Sequence, residues 1–145
     1  MSQEVPGSPP RSFYVTTGLA VAWNLVGVAV YVMQVTMSEE ALAAMDPLQR
    51  AFMETTPTWL TGVFALAVNA GALGSLLLIF RKAWAIPVLI LSLACIVVQM
   101  AYSNFMTAAI EIFGPGAAAQ SAVVTAIGIY LVWYSRGAKD KGWIS

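Results

Sequence analysis

The sequence predicts an all-α membrane fold, an antiparallel four-helix transmembrane bundle with short helices in the outer loop between spans 1 and 2. Three observations predict it. Hydrophobic residues fill 59% of the 145 positions and charged residues only 10%, against roughly 25% charged in a soluble domain, and mean hydropathy is +0.77. Four runs without charge, at residues 13–37, 58–80, 83–107 and 117–135, each reach the ~20 residues that cross a bilayer core. Two of the links between them are very short, Arg81-Lys82 and the stretch around Gly114-Pro115-Gly116, and short links make helical hairpins.

Taken in order, residues 1–12 hold Pro6, Pro9 and Pro10 with little apolar content and are expected to form a flexible cytoplasmic tail. The first apolar run is far longer than the 7–15 residues of a signal core, so it is read as a retained helix. In the loop that follows, Ser38 is placed to cap a short helix over residues 39–45. Asp46-Pro47-Leu48-Gln49 resembles a second start, with an Asp cap, Pro at the first helical position and Gln three residues after the cap. Ala41, Met45, Leu48 and Phe52 recur at helical spacing and are expected to share one face against the bundle or the interface. Residues 13–135 form a single transmembrane domain, and residues 136–145 are expected to be a basic cytoplasmic tail.

Charge sets the orientation. Arg11, Arg81, Lys82, Arg136, Lys139 and Lys141 fall on one side of the spans, with only Arg50 on the other beside Glu39, Glu40, Asp46, Glu54 and Glu111. Lys and Arg near span ends are retained in the cytoplasm, so both termini are expected there, in a multi-pass protein. Trp59, Trp84, Trp133 and Tyr134 sit at span ends, where amphipathic rings favour the headgroup layer.

Small and polar residues form heptad seams inside the spans. Span 1 offers Thr17, Ala20, Asn24, Gly27, Tyr31, Gln34 and Ser38; span 2 offers Thr58, Gly62, Ala65, Asn69 and Ala72. Span 3 offers Ser92, Cys95, Gln99, Tyr102 and Met106; span 4 offers Ala118, Ser121, Thr125, Gly128, Val132 and Ser135. Apolar faces have no reason to turn inward in lipid, so close approach of small residues and interhelical hydrogen bonds hold such a bundle. At 1.5 Å per residue, Asn24, Asn69, Cys95 and Thr125 lie near the midplane, and Tyr31, Gln34, Gln99 and Tyr102 form a second polar level nearer the outside. Two readings stand: these groups bond one another and fix register, or they line a small polar cavity for a neutral, hydroxyl-rich ligand. The second makes Asn24, Tyr31, Gln34, Asn69, Gln99, Tyr102 and Thr125 the candidate solute-binding residues.

No Asp, Glu, His, Lys or Arg lies inside a span, whereas proton and ion pathways normally place one there. With no histidine and one cysteine, the chain lacks the common zinc, haem and di-iron ligand sets, and no catalytic triad, carboxylate pair or phosphate loop is present. No cofactor, no metal and no enzymatic activity are expected. Zero net charge argues against nucleic acid as a partner. Cys95, without a neighbouring base, is read as a packing residue. Met33 and Met37, one turn apart, offer the thioether pair that selects Cu(I), set against methionine's common use as a gap-filler. The lipid bilayer is the first expected partner; a homo-oligomer or a larger membrane complex is expected besides, with Ala67/Gly71/Ser75 and Ala70/Gly74 on span 2 as candidate contact rows.

The segments WNLVGVAVYVMQVTMS (23–38), EALAAMDPLQRAFMETTPTW (40–59) and LGSLLLIFRKAWAIPVLILSL (73–93) resemble a group of small bacterial four-span inner-membrane proteins, mostly uncharacterised and sometimes labelled sugar transporters. The resemblance covers nearly the whole chain and implies the four-span fold and a bacterial inner (plasma) membrane, and its label lends support to a sugar as the solute. It brings no site residues. The expected function is therefore a binding protein or facilitator for a neutral polar solute, or an accessory or assembly subunit of a larger membrane complex.

Overall fold

The computed structural model describes residues 7–145, so the first half of the expected tail, residues 1–6, lies outside the described residues. Among the described residues seven helices follow in order: α1 (Arg11–Val35), α2 (Glu39–Ala43), α3 (Pro47–Thr55), α4 (Thr58–Ile79), α5 (Ala85–Phe105), α6 (Ala109–Phe113) and α7 (Pro115–Asp140). The fold is an all-helical four-helix bundle in which α1, α4, α5 and α7 are long and apolar enough to cross a membrane. The spans match the sequence expectation within a few residues, except that α7 runs five residues further.

The four long helices pack in series, α1 on α4, α4 on α5 and α5 on α7. This makes α4 the central helix. Its Ala67, Ala70, Gly71, Ala72, Gly74, Ser75 and Leu78 are buried, and small side chains let both neighbours approach closely. A Cβ added at Gly71 would stand 3.1 Å from Ser92 Oγ of α5 and would overlap Asn24 Oδ1 of α1; one at Gly74 would stand 2.7 Å from Leu89 Cδ2 of α5. The rows Ala67/Gly71/Ser75 and Ala70/Gly74, expected as surfaces between molecules, are thus consumed inside the chain.

Of the expected seams, Thr17 and Ala20 are buried on α1, Ser92 and Cys95 on α5, and Ser135 on α7; Phe13, Leu131 and Ala138, outside the expected seams, are buried with them. On α4 the seam is rotated: Gly62 and Asn69 are exposed. Between residues 66 and 76 every Gly, Ala and Ser of α4 is buried, while Leu66, Leu73 and Leu76 are exposed, so size chooses the face there and the expected seam departs from it at Asn69. Asn69 tolerates the outward side because its Nδ2 donates to Ala65 O on its own helix at 2.8 Å.

The two ends of the bundle are built differently. At the end carrying Arg11, Arg81, Lys82 and Lys139, here termed basic, Phe13 is fully buried against Tyr134 and Trp143, with ring centroids 6.3 and 5.9 Å away. Leu78, Ala85, Leu89, Leu131, Ala138 and Ile144 complete this core. Residues 136–145, expected as a tail, continue α7 to Asp140 and then dock, because the buried face carries on through Ala138 to Ile144. Both chain reversals here share one geometry. α4 ends with Arg81 N–H donating to Leu78 O at 2.9 Å and Lys82 N–H to Leu77 O at 2.8 Å; α7 ends with Gly142 N–H to Lys139 O at 2.9 Å and Trp143 N–H to Ala138 O at 2.8 Å. These are Schellman motifs, which put the residue after the cap in the left-handed region. Gly142 (φ 71°) adopts it freely, whereas Arg81 (φ 63°) does so as a non-glycine residue.

Arg81 also ties the end together. Its Nε donates to Trp143 O at 2.7 Å and its Nη2 to Gly7 O at 2.9 Å, while its own carbonyl accepts from Ser145 N–H at 2.9 Å and Ser145 O accepts from Ala83 N–H at 3.0 Å.

The opposite, acidic end is covered by α2, α3 and α6. Ser38 Oγ accepts from Ala41 N–H at 3.1 Å and Asp46 Oδ1 from Leu48 N–H at 2.9 Å, as the capping residues predict. The expected single face is interrupted: Ala41 and Leu48 are exposed, while Leu42, Met45, Gln49, Phe52 and Met53 turn inward. The turn between α2 and α3 resets the helical phase. Phe52 meets Phe113 of α6, a helix without a sequence signal, at 5.3 Å.

Candidate functional site

The polar residues of the spans separate into two levels with different chemistry. At the midplane, Asn24 Nδ2 donates to Ala20 O at 2.9 Å and to Ser75 Oγ at 3.0 Å. Ser92 Oγ donates to Ala67 O at 2.7 Å. Ser75 is fully buried and Ser92 nearly so. Two hydroxyls and one amide thus stitch α1 to α4 and α4 to α5 around Gly71, with a void of about 20 Å³ beside Gly71 and Ser92. Both N–H groups of Asn24 are spent, so this level holds register. Thr125 donates to Ser121 O on its own helix at 2.8 Å and borders none of the cavities described here. Asn69 faces away from the bundle.

Nearer the acidic end the arrangement opens. Gln34 of α1, Gln99 and Tyr102 of α5, and Thr61 and Phe64 of α4 line a cavity of about 370 Å³, roofed by Phe52, Thr55 and Thr56 of α3 and its C-terminal cap, with Thr107 at the rim. That volume lies in the range of small-molecule sites, about 300–1,000 Å³. Tyr31 supports it from behind, its ring edge-on to Phe64 at 5.5 Å and 88°. Trp59 meets Tyr102 at 5.4 Å in the same manner. The structure therefore gathers Gln34, Gln99 and Tyr102 on one cavity with Tyr31 beside it, and leaves Asn24, Asn69 and Thr125 outside.

The hydrogen-bonding state of the lining is informative. Thr55, Thr56 and Thr107 donate to carbonyls of their own chain segments; the oxygens of Thr55 and Thr56 stay free to accept, whereas that of Thr107 accepts from Ala109 N–H at 3.3 Å. The side chains of Gln34, Gln99, Tyr102 and Thr61 make no hydrogen bond among the described residues, and no buried side-chain polar atom there lacks a partner. The free amides and hydroxyls are thus open to the cavity. No charged residue lines it.

A second cavity of about 340 Å³ shares Gln34, Phe64 and Gln99 with the first and descends between α1 and α7 along Val26, Val30, Val68, Ile96 and Val124. It is chiefly apolar and reaches Trp23, Asn24 and Ala67, at the level of the midplane bonds. Below that level lies the basic-end core of Phe13, Leu78, Leu89 and Leu131. Residue spacing alone could not have found the threonines, since Thr55, Thr56 and Thr107 reach the cavity only through the fold of the loop and the end of α5. The signal that was available is the run Thr55-Thr56-Pro57, whose Pro57 caps α4 and turns the chain over the cavity mouth.

Met33 is 69% exposed on the outer face of α1, and no cluster of three or more His, Cys, Asp or Glu side chains suited to a metal occurs among the described residues. No protein-family model, curated protein or solved structure matches the chain.

Proposed function

We propose that this chain is a non-enzymatic binding protein of the bacterial inner membrane, with both termini cytoplasmic and a pocket open to the outside for a neutral, hydroxyl-bearing solute of the sugar or polyol class. The observation that carries the reading is the unbonded set of Gln34, Gln99, Tyr102 and Thr61 on one uncharged cavity. Amides and hydroxyls that both donate and accept match vicinal hydroxyls, while Phe52, Phe64 and Tyr102 can cover the apolar face of a sugar ring. A charged solute would meet no counter-charge there and would lose hydration without compensation. The six-to-one division of basic residues supports the orientation, and the resemblance to four-span proteins labelled sugar transporters supports the solute class. Facilitated diffusion would require the Phe13 core and the Arg81 ties to open, so binding fits better than passage.

The test is a thermal-stability screen in lipid nanodiscs against uncharged sugars and polyols, with gluconate and glucosamine as charged controls. At least one neutral solute should raise the melting temperature, and Gln34→Ala or Gln99→Ala should abolish the rise while leaving the unliganded melting temperature nearly unchanged. No shift across the panel would reject solute binding. The sealed basic end favours, as second reading, an accessory or assembly subunit whose pocket receives a side chain of a larger membrane complex; stoichiometric co-purification of another membrane protein in mild detergent would support it.

A further inference from the structure

The outward face of α4 carries an unpartnered amide at the centre of its span. From Gly62 onward, each exposed position of α4 falls on one stripe, Gly62, Leu66, Asn69, Leu73 and Leu76, with Phe80 just past the helix. The steps alternate four and three, the spacing of a heptad seam. A helix packed on two sides leaves such a stripe whatever its sequence, so the spacing alone identifies nothing. The residue at its middle does. Leu66 and Leu73 are 46% and 52% exposed, and Asn69 lies between them, within one residue of the midpoint of α4. None of the other three spans exposes an amide or a charged side chain in its central third.

Asn69 uses one N–H for Ala65 O. Its second N–H and its carbonyl oxygen have no partner among the described residues, at a depth where lipid tails offer none and an unpaired polar group is costly. We infer that α4 pairs with the α4 of a second copy of this chain, parallel and in register, so that the two Asn69 amides bond each other across the two-fold axis. An amide donates and accepts at once, so the same residue on an identical chain satisfies it. Copies inserted by one charge rule share one orientation; their two-fold axis then lies along the membrane normal, and a residue on that axis meets itself at the same depth. A single asparagine in an otherwise apolar seam is the device that fixes register and favours two strands. Gly62 allows close approach toward one end. This stripe is separate from the small-residue rows consumed between α1, α4 and α5, and from the polar cavity.

The experiment is oxidative cross-linking of single cysteines in intact membranes, in a Cys95→Ala background. Leu66→Cys, Leu73→Cys and Leu76→Cys should give a dimer of this chain. Leu91→Cys on α5 and Val123→Cys on α7, equally exposed at 45% and 52%, should not. By energy transfer in liposomes, Asn69→Ala should weaken association about tenfold, the scale of one or two interhelical hydrogen bonds in lipid, and Asn69→Gln should retain most of it. Cross-linking at Leu91→Cys or Val123→Cys equal to that on α4, cross-linking only to a different protein, or association unchanged in Asn69→Ala would each overturn the inference.

Discussion

The basic and acidic ends of this bundle use the same kinds of residue to opposite effect. At the basic end the aromatic rings of Phe13, Tyr134 and Trp143 pack on one another, and the polar groups of Arg81 are spent on backbone carbonyls of both chain termini. At the acidic end the rings of Phe52, Phe64 and Tyr102 stand around an opening, and the amides of Gln34 and Gln99 are unspent. One end is consumed in holding the helices together. The other is held together by what lies below it, and its polar groups stay available. The difference shows that polarity inside a membrane bundle does not by itself mark a site; the state of its hydrogen bonds does.

Removing the ring at the centre of the sealed end should break this contrast most strongly. Phe13→Ala is expected to destabilise the protein by about 3–5 kcal/mol, the usual loss for a buried phenylalanine, read as a lower melting temperature in nanodiscs. Next comes Gly74→Ala. Its added methyl would strike Leu89 and should reduce stability by roughly 1–3 kcal/mol through overpacking, which steric trapping in bilayers can measure.

Arg81→Ala removes the ties to Trp143 and Gly7 and leaves a Cβ in the left-handed region. Amide exchange should then quicken at residues 142–145 and 81–83 together, with a loss of about 1–2 kcal/mol from the missing hydrogen bonds. Arg81→Gly relieves the backbone but not the ties, so its exchange should still quicken. At the open end, Phe52→Ala should accelerate exchange across residues 39–56 while lowering global stability by less than about 1 kcal/mol, because that region has few buried contacts. If Phe52→Ala proved as damaging as Phe13→Ala, the two ends would not differ as described.

Much of this was legible in the sequence, for physical reasons that also explain the misses. Span length and charge are one-dimensional properties, so α1, α4, α5 and α7 could be read directly, as could the Ser38 and Asp46 caps, whose chemistry is local. The expected face of α4 is wrong although its signal is present, since Ala67, Ala70, Gly71, Ala72, Gly74 and Ser75 mark the buried side. The rule that polar residues turn inward treats Asn24 and Asn69 alike and draws the expected seam to Asn69. Asn24 found Ser75 across the helix pair; Asn69 found its own backbone. The continuation of α7 past Ser135 was hidden because Arg136 and Lys139 look like a tail, although Ala138 between them keeps to the buried face. Of the site, Gln34, Gln99 and Tyr102 were visible as a polar level, whereas the threonines from α3 depended on how the outer loop folds back.

The central claim is that the polar cavity opens to water at the acidic end alone and receives a neutral solute. It is tested most directly by the reactivity of Thr61→Cys, in a Cys95→Ala background, toward a membrane-impermeant maleimide added to either side of oriented vesicles. Modification is expected only from the side opposite Arg81 and Lys82, with a rate slowed severalfold by the solute that raises the melting temperature. Modification from the Arg81 side, or a rate indifferent to every neutral sugar and polyol, would contradict the account.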